Sequence, residues 1–300
     1  MILGIRQDWG AHILGRHPGD VTVPEPRLLL HSGFVEKLSI PLPPLPEQRR
    51  IVDILNRANG IRRLRCEALD KSRQLIPALF VDMFGDPATN RFSSSVLGDH
   101  GEVQGGLQVT SKRAVNPIEV PYLRVANVYR DRLKLSEVKT IRVTTGELAR
   151  TNLKTGDLLF VEGHGNPDEI GRCAVWNGSI GTCVHQNHLI RVRLDLSTLN
   201  PVFASSFFNS SQGVAGLRAA GKTTSGLNTI STSNVKSARV PVPPIQLQDE
   251  FAGNVAEIEA TIAQQERMAE ASDQLVASLM AQLFDGSVAG RQDIFRPTRH

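Results

Sequence analysis

Aromatic residues, cysteines and long apolar runs are all scarce in this chain of 300 residues. Only two Trp and two Tyr occur, which argues against a broad aromatic platform for stacking single-stranded nucleic acid. Cys66, Cys173 and Cys183 are odd in number and far apart, so we expect reduced thiols and a cytoplasmic location. Because no run reaches the roughly 18 apolar residues that a membrane span needs, and no signal-peptide stretch opens the sequence, we expect no membrane association.

Charge of either sign is also not in large excess, since the formal net charge is +4 at pH 7. The charges are unevenly spread. Residues 92–238 carry 16 Lys and Arg against 11 Asp and Glu, whereas residues 247–285 carry one Arg against eight acids. The middle of the chain is therefore a basic body next to an acidic segment. A basic excess of this size does not identify a nucleic-acid partner by itself.

The sequence does contain an internal repeat with an offset of 200 residues. IPLPPLPEQ at 40–48 returns as VPVPPIQLQ at 240–248, and the register extends to Phe84 and Phe284 without a gap. Proline fixes its own φ and pushes the preceding residue towards extended geometry. Each copy therefore predicts a stiff Pro-rich lead-in followed by one long helix.

Apolar and small residues in both predicted helices recur at alternating steps of three and four, which is typical of a coiled-coil seam. Gly85 and Gly286 follow the last apolar residues, where we expect left-handed C-terminal caps. A helix of about 38 residues is roughly 57 Å long. The residues predicted for the coiled coil are Ile51, Ile54, Ile61, Leu75, Leu79, Ile258, Met268, Leu275 and Leu279, with Val255, Ile262, Ala269 and Val276 widening the second stripe.

The two predicted helices carry opposite charges beside their apolar stripes. Eight Lys and Arg residues lie in 47–86, and six Asp and Glu residues follow the stripe of the second helix between 250 and 273. Opposite signs favour pairing of one helix with the other over pairing of either helix with itself. The alternative is that both helices cover a globular core and that their charges are simply solvated.

The basic body between the helices has the size of an ordinary domain and a mixed pattern. Short β-branched runs bounded by Gly, Asn, Asp or Pro predict strands at 120–129, 138–144, 156–163, 171–176 and 187–196. A helix is predicted over 201–217. The expected fold class is therefore α+β, with one mixed α/β domain plus two long helices that form an antiparallel coiled coil.

GLRAAGKT at 216–223 has the spacing of a nucleotide-binding phosphate loop. Such a loop needs an apolar strand before its first Gly and a helix that opens at Lys-Thr. Here the preceding residues read as a helix, and the residues after Thr223 are turn formers. We therefore keep a nucleotide-binding protein as an alternative, together with a coiled-coil adaptor that has no DNA role.

The segments 40–52 and 240–251, IPLPPLPEQRRIV and VPVPPIQLQDEF, resemble those of the specificity (S) subunit of type I DNA restriction–modification enzymes. Within the body, YLRVANVYR (122–130), GDLLFVEGHGNPDEIGR (156–172) and HQNHLIRVR (185–193) resemble one of that family's target recognition domains. The resemblance runs from about residue 30 to 286.

One large departure from the family concerns the number of recognition domains. A full-length member has two, each followed by a conserved helix, whereas this chain has one complete domain. We expect a half-sized or N-terminally truncated S subunit. The predicted divisions are 1–39 as the tail of a first recognition domain, 40–86 as lead-in and first helix, 87–238 as the recognition domain, 239–286 as lead-in and second helix, and 287–300 as a flexible tail.

The resemblance implies a protein that recognises and assembles but does not catalyse. Its recognition domain would read one half-site of double-stranded DNA, and its helices would set the spacing of half-sites and dock the methyltransferase (M) subunits. The restriction (R) subunit would join in the full complex, and a second copy or another S fragment would supply the second reading domain. S-adenosylmethionine, ATP and Mg²⁺ would belong to partner subunits, so that this chain binds no cofactor and no metal.

Three loops carry side chains suited to reading DNA. Arg, Lys, Asn and Gln read base edges in the major groove, and Lys, Arg, Ser and Thr hold phosphates. The alternative for each loop is a solvated surface with no ligand. The candidates, together with two residues that open a predicted strand, are Gln108, Thr110, Ser111, Lys112, Arg113, His164, Asn166, Gln186, Asn187, Lys222, Thr223, Thr224, Ser225 and Asn228.

The segment 183–193 permits other interpretations. Gln186 and Asn187 could instead fix a turn. The Cys and His spacing in this region lacks the tight Cys pair of a zinc finger, so buried cysteines beside hydrogen-bonded histidines are favoured over a metal site. Arg191 and Arg193 share one face of the predicted strand and could serve either as phosphate contacts or as partners of carboxylates within the domain.

Overall fold

The computed structural model describes residues 44–86, 89, 91–224 and 227–289. For residues 167, 222–224, 227, 228, 279 and 282–289 the description covers the backbone alone. The predicted tail of a first recognition domain at 1–39, the start of the first lead-in at 40–43 and the tail after residue 289 lie outside the described residues. Residues 54–278 form one compact unit, and the described residues on either side of them belong to a second.

Helices frame the domain in chain order, and the two long ones are close to the predicted length. The first has 40 residues and the last has 45. The α-helices are α1 (Leu45–Phe84), α2 (Thr145–Thr151), α3 (Pro201–Asn209), α4 (Ser211–Ala220), α5 (Thr232–Ser237) and α6 (Ile245–Ala289). No helix within the described ranges is long and apolar enough to cross a membrane.

Short strands lie between the long helices, mostly where the β-branched runs predict them. Several of the longest loops also contain a single 3-10 turn, for example Ser111–Val115 and Pro167–Glu169. The strands are β1 (Ser94–Val96), β2 (Gly101–Gly105), β3 (Ile118–Leu123), β4 (Val128–Tyr129), β5 (Arg132–Leu133), β6 (Lys139–Val143), β7 (Leu158–Val161), β8 (Gly163–His164), β9 (Cys173–Val175), β10 (Val184–His185), β11 (Leu189–Leu194), β12 (Lys222–Thr224), β13 (Leu227–Thr229) and β14 (Arg239–Pro241).

The central sheet of the domain has the order β2-β11-β7-β9, and all of its neighbours are antiparallel. Strand β7, with the sequence LLFV, is buried along its whole length. Side chains alternate between the two faces of a strand. Accordingly Leu158 and Phe160 join one hydrophobic cluster, and Leu159 and Val161 join the other. The apolar run is explained by a strand that is covered on both faces.

A smaller sheet packs beside the central one, in the order β10-β3-β6, with β10 parallel to β3. The helix predicted over 201–217 is present but divides into α3 and α4 at Ser210. The Ser210 hydroxyl accepts a hydrogen bond from Gly213 N and so caps α4. A Cβ atom at Gly213 would lie 2.3 Å from Phe207 O, so the close turn between the two helices requires glycine.

The two long helices pair with each other in antiparallel orientation, as predicted. Arg62 Nη2 lies 3.3 Å from Asp273 Oδ2, and Arg73 Nη2 lies 2.7 Å from Glu266 Oε1. Between these ion pairs, Arg65 donates to the carbonyl of Met268 at 3.1 Å. The partner number falls as the residue number rises, which is the signature of antiparallel helices. Because the charged groups are half exposed, each ion pair contributes about 1 kcal/mol or less.

The seam between the helices lies one residue away from part of the predicted stripe. Ile61 and Leu75 are 50% and 52% exposed, whereas Leu69 is buried and Ile76 is partly buried. On the second helix Met268 and Leu275 are exposed, and the side chain of Leu279 lies outside the described residues. Adjacent rows of apolar residues run along both helices, and a shift of one residue rotates the buried face by about 100°. In the first helix the buried and partly buried positions include 51, 55, 58, 65, 69, 72 and 76, and in the second they include 255, 262, 269 and 276.

Where the helices reach the domain, they become part of its core. Phe80 and Phe84 at the end of α1 meet Phe251 near the start of α6, with ring centroids 5.6 and 5.4 Å apart. Phe203 of α3 completes the group and stacks on Phe80 at 5.5 Å. The coiled-coil interpretation and the core-covering interpretation therefore each apply to a different part of the helices. Near the domain they cover a core, and beyond it they pair.

The helix caps agree with prediction at one end only. Gly85 has φ = +82° and its N–H donates to Val81 O, so it forms the expected left-handed cap of α1. Gly286 was expected to end the second helix, but α6 continues through it to Ala289. Glycine permits a left-handed cap without requiring one, and helical glycine costs about 1 kcal/mol relative to alanine.

A buried histidine predicts a pH dependence of stability. His185 is fully buried beneath the domain surface, with Nδ1 3.3 Å from Thr151 O. Burial, and secondly the charge of Arg191, lower the pKa of His185 to about 4 from an ordinary value of 6.5. The neutral ring is therefore favoured by folding. This contribution is complete above pH 6.5 and is lost as the pH falls from 6.5 through 4.

Between pH 7 and pH 5 we expect this histidine to remove about 2 kcal/mol from the free energy of unfolding. Urea unfolding of the wild-type chain and of His185→Gln at both pH values measures it, because glutamine cannot take up the proton. The difference between the two chains should change by that amount with pH. An unchanged difference would contradict a buried neutral ring.

Candidate nucleic-acid interface

One end of the central sheet gathers the loops that carry the candidate residues. Strand register places Gly105 opposite Ile190, Leu189 opposite Val161, and Phe160 opposite Cys173. The carboxyl ends of β2 and β7 therefore meet the amino ends of β11 and β9. The loops 106–117, 162–172 and 186–188 all leave the sheet there, and we call this surface the loop end. The antiparallel pairing makes neighbours of residues that are far apart in sequence, such as Gly105 and Ile190.

Glycine brings the first loop against the segment before β11. Leu107 N donates to His185 O, and Asn187 N donates to Leu107 O, both at 2.9 Å. A Cβ atom at Gly106 would lie 2.3 Å from the carbonyl oxygens of both His185 and Gln186, so the approach is possible only for glycine. The backbone of this segment forms a turn, whereas the side chains of Gln186 and Asn187 make no hydrogen bond within the described residues.

The second and third candidate loops join in a three-stranded sheet with the order β12-β13-β8. Asn228 lies opposite His164, and Thr229 lies opposite Gly163. Ile230 N donates to Glu162 O at 2.8 Å and closes the arrangement. Lys222, Thr223 and Thr224 form β12, but their side chains and that of Asn228 lie outside the described residues, as does all of Ser225. Their predicted contacts with DNA stay predictions.

The same hairpin decides the meaning of GLRAAGKT. Helix α4 ends at Ala220, and Lys222 begins a strand that pairs with β13. A phosphate loop would require a helix to open at this lysine, because the helix N-terminus supplies the amides that hold phosphate. In the described part of this segment Lys222 opens a strand and not a helix. Nothing in the fold favours nucleotide binding.

His164 and Asn166 have defined hydrogen-bonding roles. Asn166 N donates to His164 Nδ1 at 3.0 Å, so the neutral ring carries its proton on Nε2. The side-chain oxygen of Asn166 accepts from Asp168 N at 3.0 Å, which leaves the amide nitrogen as the group available to a ligand. Asn166 is exposed and His164 is partly exposed. Both therefore present a hydrogen-bond donor at the loop end.

The exposed tip of the first loop holds one cation that is available to a ligand and one that is not. Gln108, Thr110, Ser111 and Lys112 are exposed, and Lys112 has no ion-pair partner within the described residues. Arg113 has a different role. Its Nη1 lies 3.0 Å from Glu147 Oε2, and its Nε donates to Gln108 O. The prediction that Arg113 reads DNA is not supported by this placement, since its guanidinium holds the loop to α2.

Arg191 and Arg193, for which two interpretations were open, pair within the domain. Arg193 binds both carboxylate oxygens of Asp157, at 2.8 and 2.7 Å. Arg191 is almost fully buried, and its Nη2 donates to Glu102 at 2.9 Å. Arg191 is too buried to contact a phosphate, and the guanidinium of Arg193 is occupied by Asp157, so both arginines stabilise the sheet.

Cys173, Cys183 and His185 are buried, whereas His188 is exposed. Cys173 Sγ lies 3.8 Å from Ser205 Oγ, and burial raises its pKa well above the usual value. Burial likewise raises the pKa of Cys183 to about 12, and its thiol faces the Val184 carbonyl. No group of three metal-ligating side chains occurs within the described residues. Both thiols are protonated and unreactive at neutral pH.

Sequence reasoning missed three arginines whose side chains bind residues of the loop 162–172. Arg172 pairs with Glu169, whereas Arg218 and Arg130 both bind Asp168. Arg172 is the last residue of the motif that resembles a recognition domain. The spacing of three between Glu169 and Arg172 is the local signal in the sequence for this ion pair.

Comparison with known proteins finds two curated proteins with similar sequences. The chain is 27% identical over 291 residues to the Type I restriction enzyme EcoKI specificity subunit of Escherichia coli strain K12. It is 28% identical over 274 residues to the Type I restriction enzyme StySPI specificity subunit of Salmonella potsdam. In each case 85% of this chain and 58% of the relative are covered. The chain is thus similar in sequence to specificity subunits of type I restriction enzymes.

These specificity-subunit relatives are longer than this chain, which spans 58% of their length. Solved structures show the same fold. One, described as the basis of complex assembly and conformational transition of the type I R-M system, has a TM-score of 0.54 at 18% identity, covering 81% of this chain and 60% of the other. The S subunit of a type I system from M. genitalium has a TM-score of 0.50 at 12% identity, covering 80% and 61%. No family model matches the chain.

Proposed function

We propose that this chain is a non-catalytic recognition and assembly subunit of a type I restriction–modification complex, and that its domain reads one half-site of double-stranded DNA. The convergence of the candidate loops at the loop end is the observation that carries the proposal. The names of the specificity-subunit relatives support it. The domain also carries more Lys and Arg than Asp and Glu residues, which suits contact with the negatively charged DNA backbone.

The exposed and partly exposed groups at the loop end suit a duplex. Gln186, Asn187 and Asn166 offer amides of the kind that pair with adenine, and His164 offers a donor on Nε2. Lys112 and the hydroxyl groups beside it are suited to backbone phosphates. Base contacts supply specificity, and phosphate contacts supply position and affinity, so both kinds of group are needed on one surface.

The long helices provide the assembly function in this proposal. Ile61, Leu75, Met268 and Leu275 are half exposed beside the seam, which supports their use in docking methyltransferase subunits. The restriction subunit would join the full complex. The proposal places S-adenosylmethionine, ATP and Mg²⁺ in those partner subunits and the whole complex in the cytoplasm.

A second recognition domain would come from a second copy of the chain or from another specificity-subunit fragment. The internal repeat supports this step. Gln248 is fully buried, and its side chain binds Asn200 N and the carbonyls of Pro243 and Thr198, which fastens α6 to the domain. Gln48 occupies the same position of the repeat in α1, so α1 carries the residue type that in α6 fastens the helix to a recognition domain. Light scattering would detect a dimer, and a monomer at every concentration would count against pairing of identical chains.

Binding to DNA is tested by fluorescence anisotropy on random-sequence duplexes across a salt series. A protein that neutralises phosphates loses affinity steeply as salt rises, with a slope of about −0.9 per phosphate contacted. We expect a slope of several units. Absence of salt-dependent binding would instead indicate an adaptor that does not contact DNA.

Lys112→Ala should weaken binding to every duplex by a similar factor and reduce the salt slope by about one. The physical reason is the loss of one exposed ammonium group from the loop end. Lys236→Ala is the matched control, because Lys236 packs on Gly98 just before the opposite end of β2. Equal effects of the two substitutions would place the DNA elsewhere on the domain.

A further inference from the structure

Arg172 connects the loop 162–172 to two other parts of the domain. Its side chain is 7% exposed, and its Nη1 lies 2.6 Å from Glu169 Oε2 in the 3-10 turn of the loop. Its Nη2 donates to Val125 O at 3.2 Å. Its guanidinium also lies over the ring of Tyr129, 4.9 Å from the centroid. One planar group therefore fixes the turn against the segment before β4 and against β4 itself.

Asp168, in the same turn, is held independently. Arg218 of α4 pairs with its carboxylate, and Arg130 donates to its backbone carbonyl. The opposite side of the loop is fixed by the pairing of β8 with β13. The two candidate readers of the loop, His164 and Asn166, lie between these attachments. Their donors therefore have a defined direction before any ligand arrives.

The same contacts neutralise two of the loop's own carboxylates. Glu169 pairs with Arg172, and Asp168 pairs with Arg218. Glu162 Oε2 lies 3.2 Å from His188 Nδ1, within hydrogen-bonding distance. An unpaired carboxylate near a phosphate would repel it. The hydrogen bond from Arg172 and the charges nearby keep the pKa of Glu169 below its usual value, so the pair persists at neutral pH.

We propose that Arg172 is a positioning residue for sequence discrimination: it holds the loop 163–169 so that His164 and Asn166 meet the base edges in one geometry. The inference rests on the proposed DNA-binding function. Arg172 itself contacts no ligand, because its side chain is buried. Loss of its contacts should therefore affect the choice of sequence and leave general affinity for phosphates intact.

The test begins with duplexes selected from a randomised library by the purified wild-type chain. We expect Arg172→Met to lower the ratio of affinities for selected and scrambled duplexes by about tenfold, the size of one lost base discrimination. Affinity for the scrambled duplex and the salt slope should stay within about twofold of wild type. Hydrogen exchange of the amides of residues 163–166, 168 and 169 should become about tenfold faster, because the turn has lost its attachment.

Two further variants make the comparison specific. Arg172→Lys keeps the charge but has neither a planar face nor a fork of donors, so it should lose most of the discrimination. It also replaces the methionine variant if that variant does not fold. Arg132→Met is the matched control, because Arg132 lies over the same ring at 5.7 Å, is exposed, and makes no hydrogen bond or ion pair with the loop within the described residues.

The inference is overturned if Arg172→Met retains the wild-type affinity ratio and exchange rates. It is also overturned if affinity for the scrambled duplex falls together with the salt slope, since Arg172 would then bind phosphate directly. If the wild-type chain bound no duplex at all, the proposed function would fail and the positioning role with it. The wild-type measurement therefore separates the two failures.

Discussion

Phe251→Ala is expected to lower the free energy of unfolding by about 3–5 kcal/mol, the usual cost of removing a buried phenylalanine. Phe251 is fully buried near the start of α6, and its ring lies edge-on to those of Phe80 and Phe84. The change removes apolar burial and two aromatic contacts at the place where both long helices enter the domain core. The cavity that remains cannot close without moving a helix.

Denaturant unfolding monitored by circular dichroism measures this loss. Met268→Ala is the control, because Met268 lies on the same helix but is 55% exposed, and its truncation should cost about 0.5 kcal/mol or less. Equal losses in the two variants would contradict the proposed anchoring of the helices by the phenylalanine cluster.

Asp157→Ala is expected to have an effect of similar size, about 3–5 kcal/mol. Asp157 is 2% exposed and accepts two hydrogen bonds from Arg193 and one from Lys154 N at 2.7 Å. Its removal leaves a guanidinium that is 29% exposed without its carboxylate. The cost comes mainly from this uncompensated charge and not from the intrinsic strength of the pair.

Two comparisons establish the origin of that cost. The double variant Asp157→Leu with Arg193→Met should recover much of the stability, since apolar residues of similar volume often replace a buried ion pair without loss. Glu119→Ala is the surface control, because Glu119 is 54% exposed and lies 3.9 Å from Arg142, and it should cost about 1 kcal/mol or less. A double variant as unstable as the single one would contradict the charge argument.

The candidate site could be predicted only in part, and individual residues show why. Arg113 and Lys112 are adjacent in one polar loop and equally suitable as DNA contacts by residue type. The structure separates them, because Glu147, 34 positions away, captures Arg113 and leaves Lys112 exposed. Arg172 was overlooked for the converse reason. Its partners include Val125 and Tyr129, which only the packing of β4 against β9 brings near.

The helices show the same division between local and long-range information. Proline lead-ins, heptad spacing and the internal repeat specified two long helices of opposite charge, because these signals act along the chain. The predicted stripe places Leu75 in the seam, but Leu75 is exposed and Leu69 is buried. Tertiary packing selects which apolar face is covered, and a shift of one residue rotates that face by about 100°.

The sequence alone determined the order of elements, the antiparallel pairing of the helices, the buried strands and the polar character of three loops. These properties follow from periodicity, turn chemistry and charge, each of which is expressed within a few residues. Only the tertiary structure decided that the loops meet at one end of one sheet, and which of their cations remain exposed. Strand register and carboxylate partners join residues that are distant in the chain, and no local pattern encodes those distances.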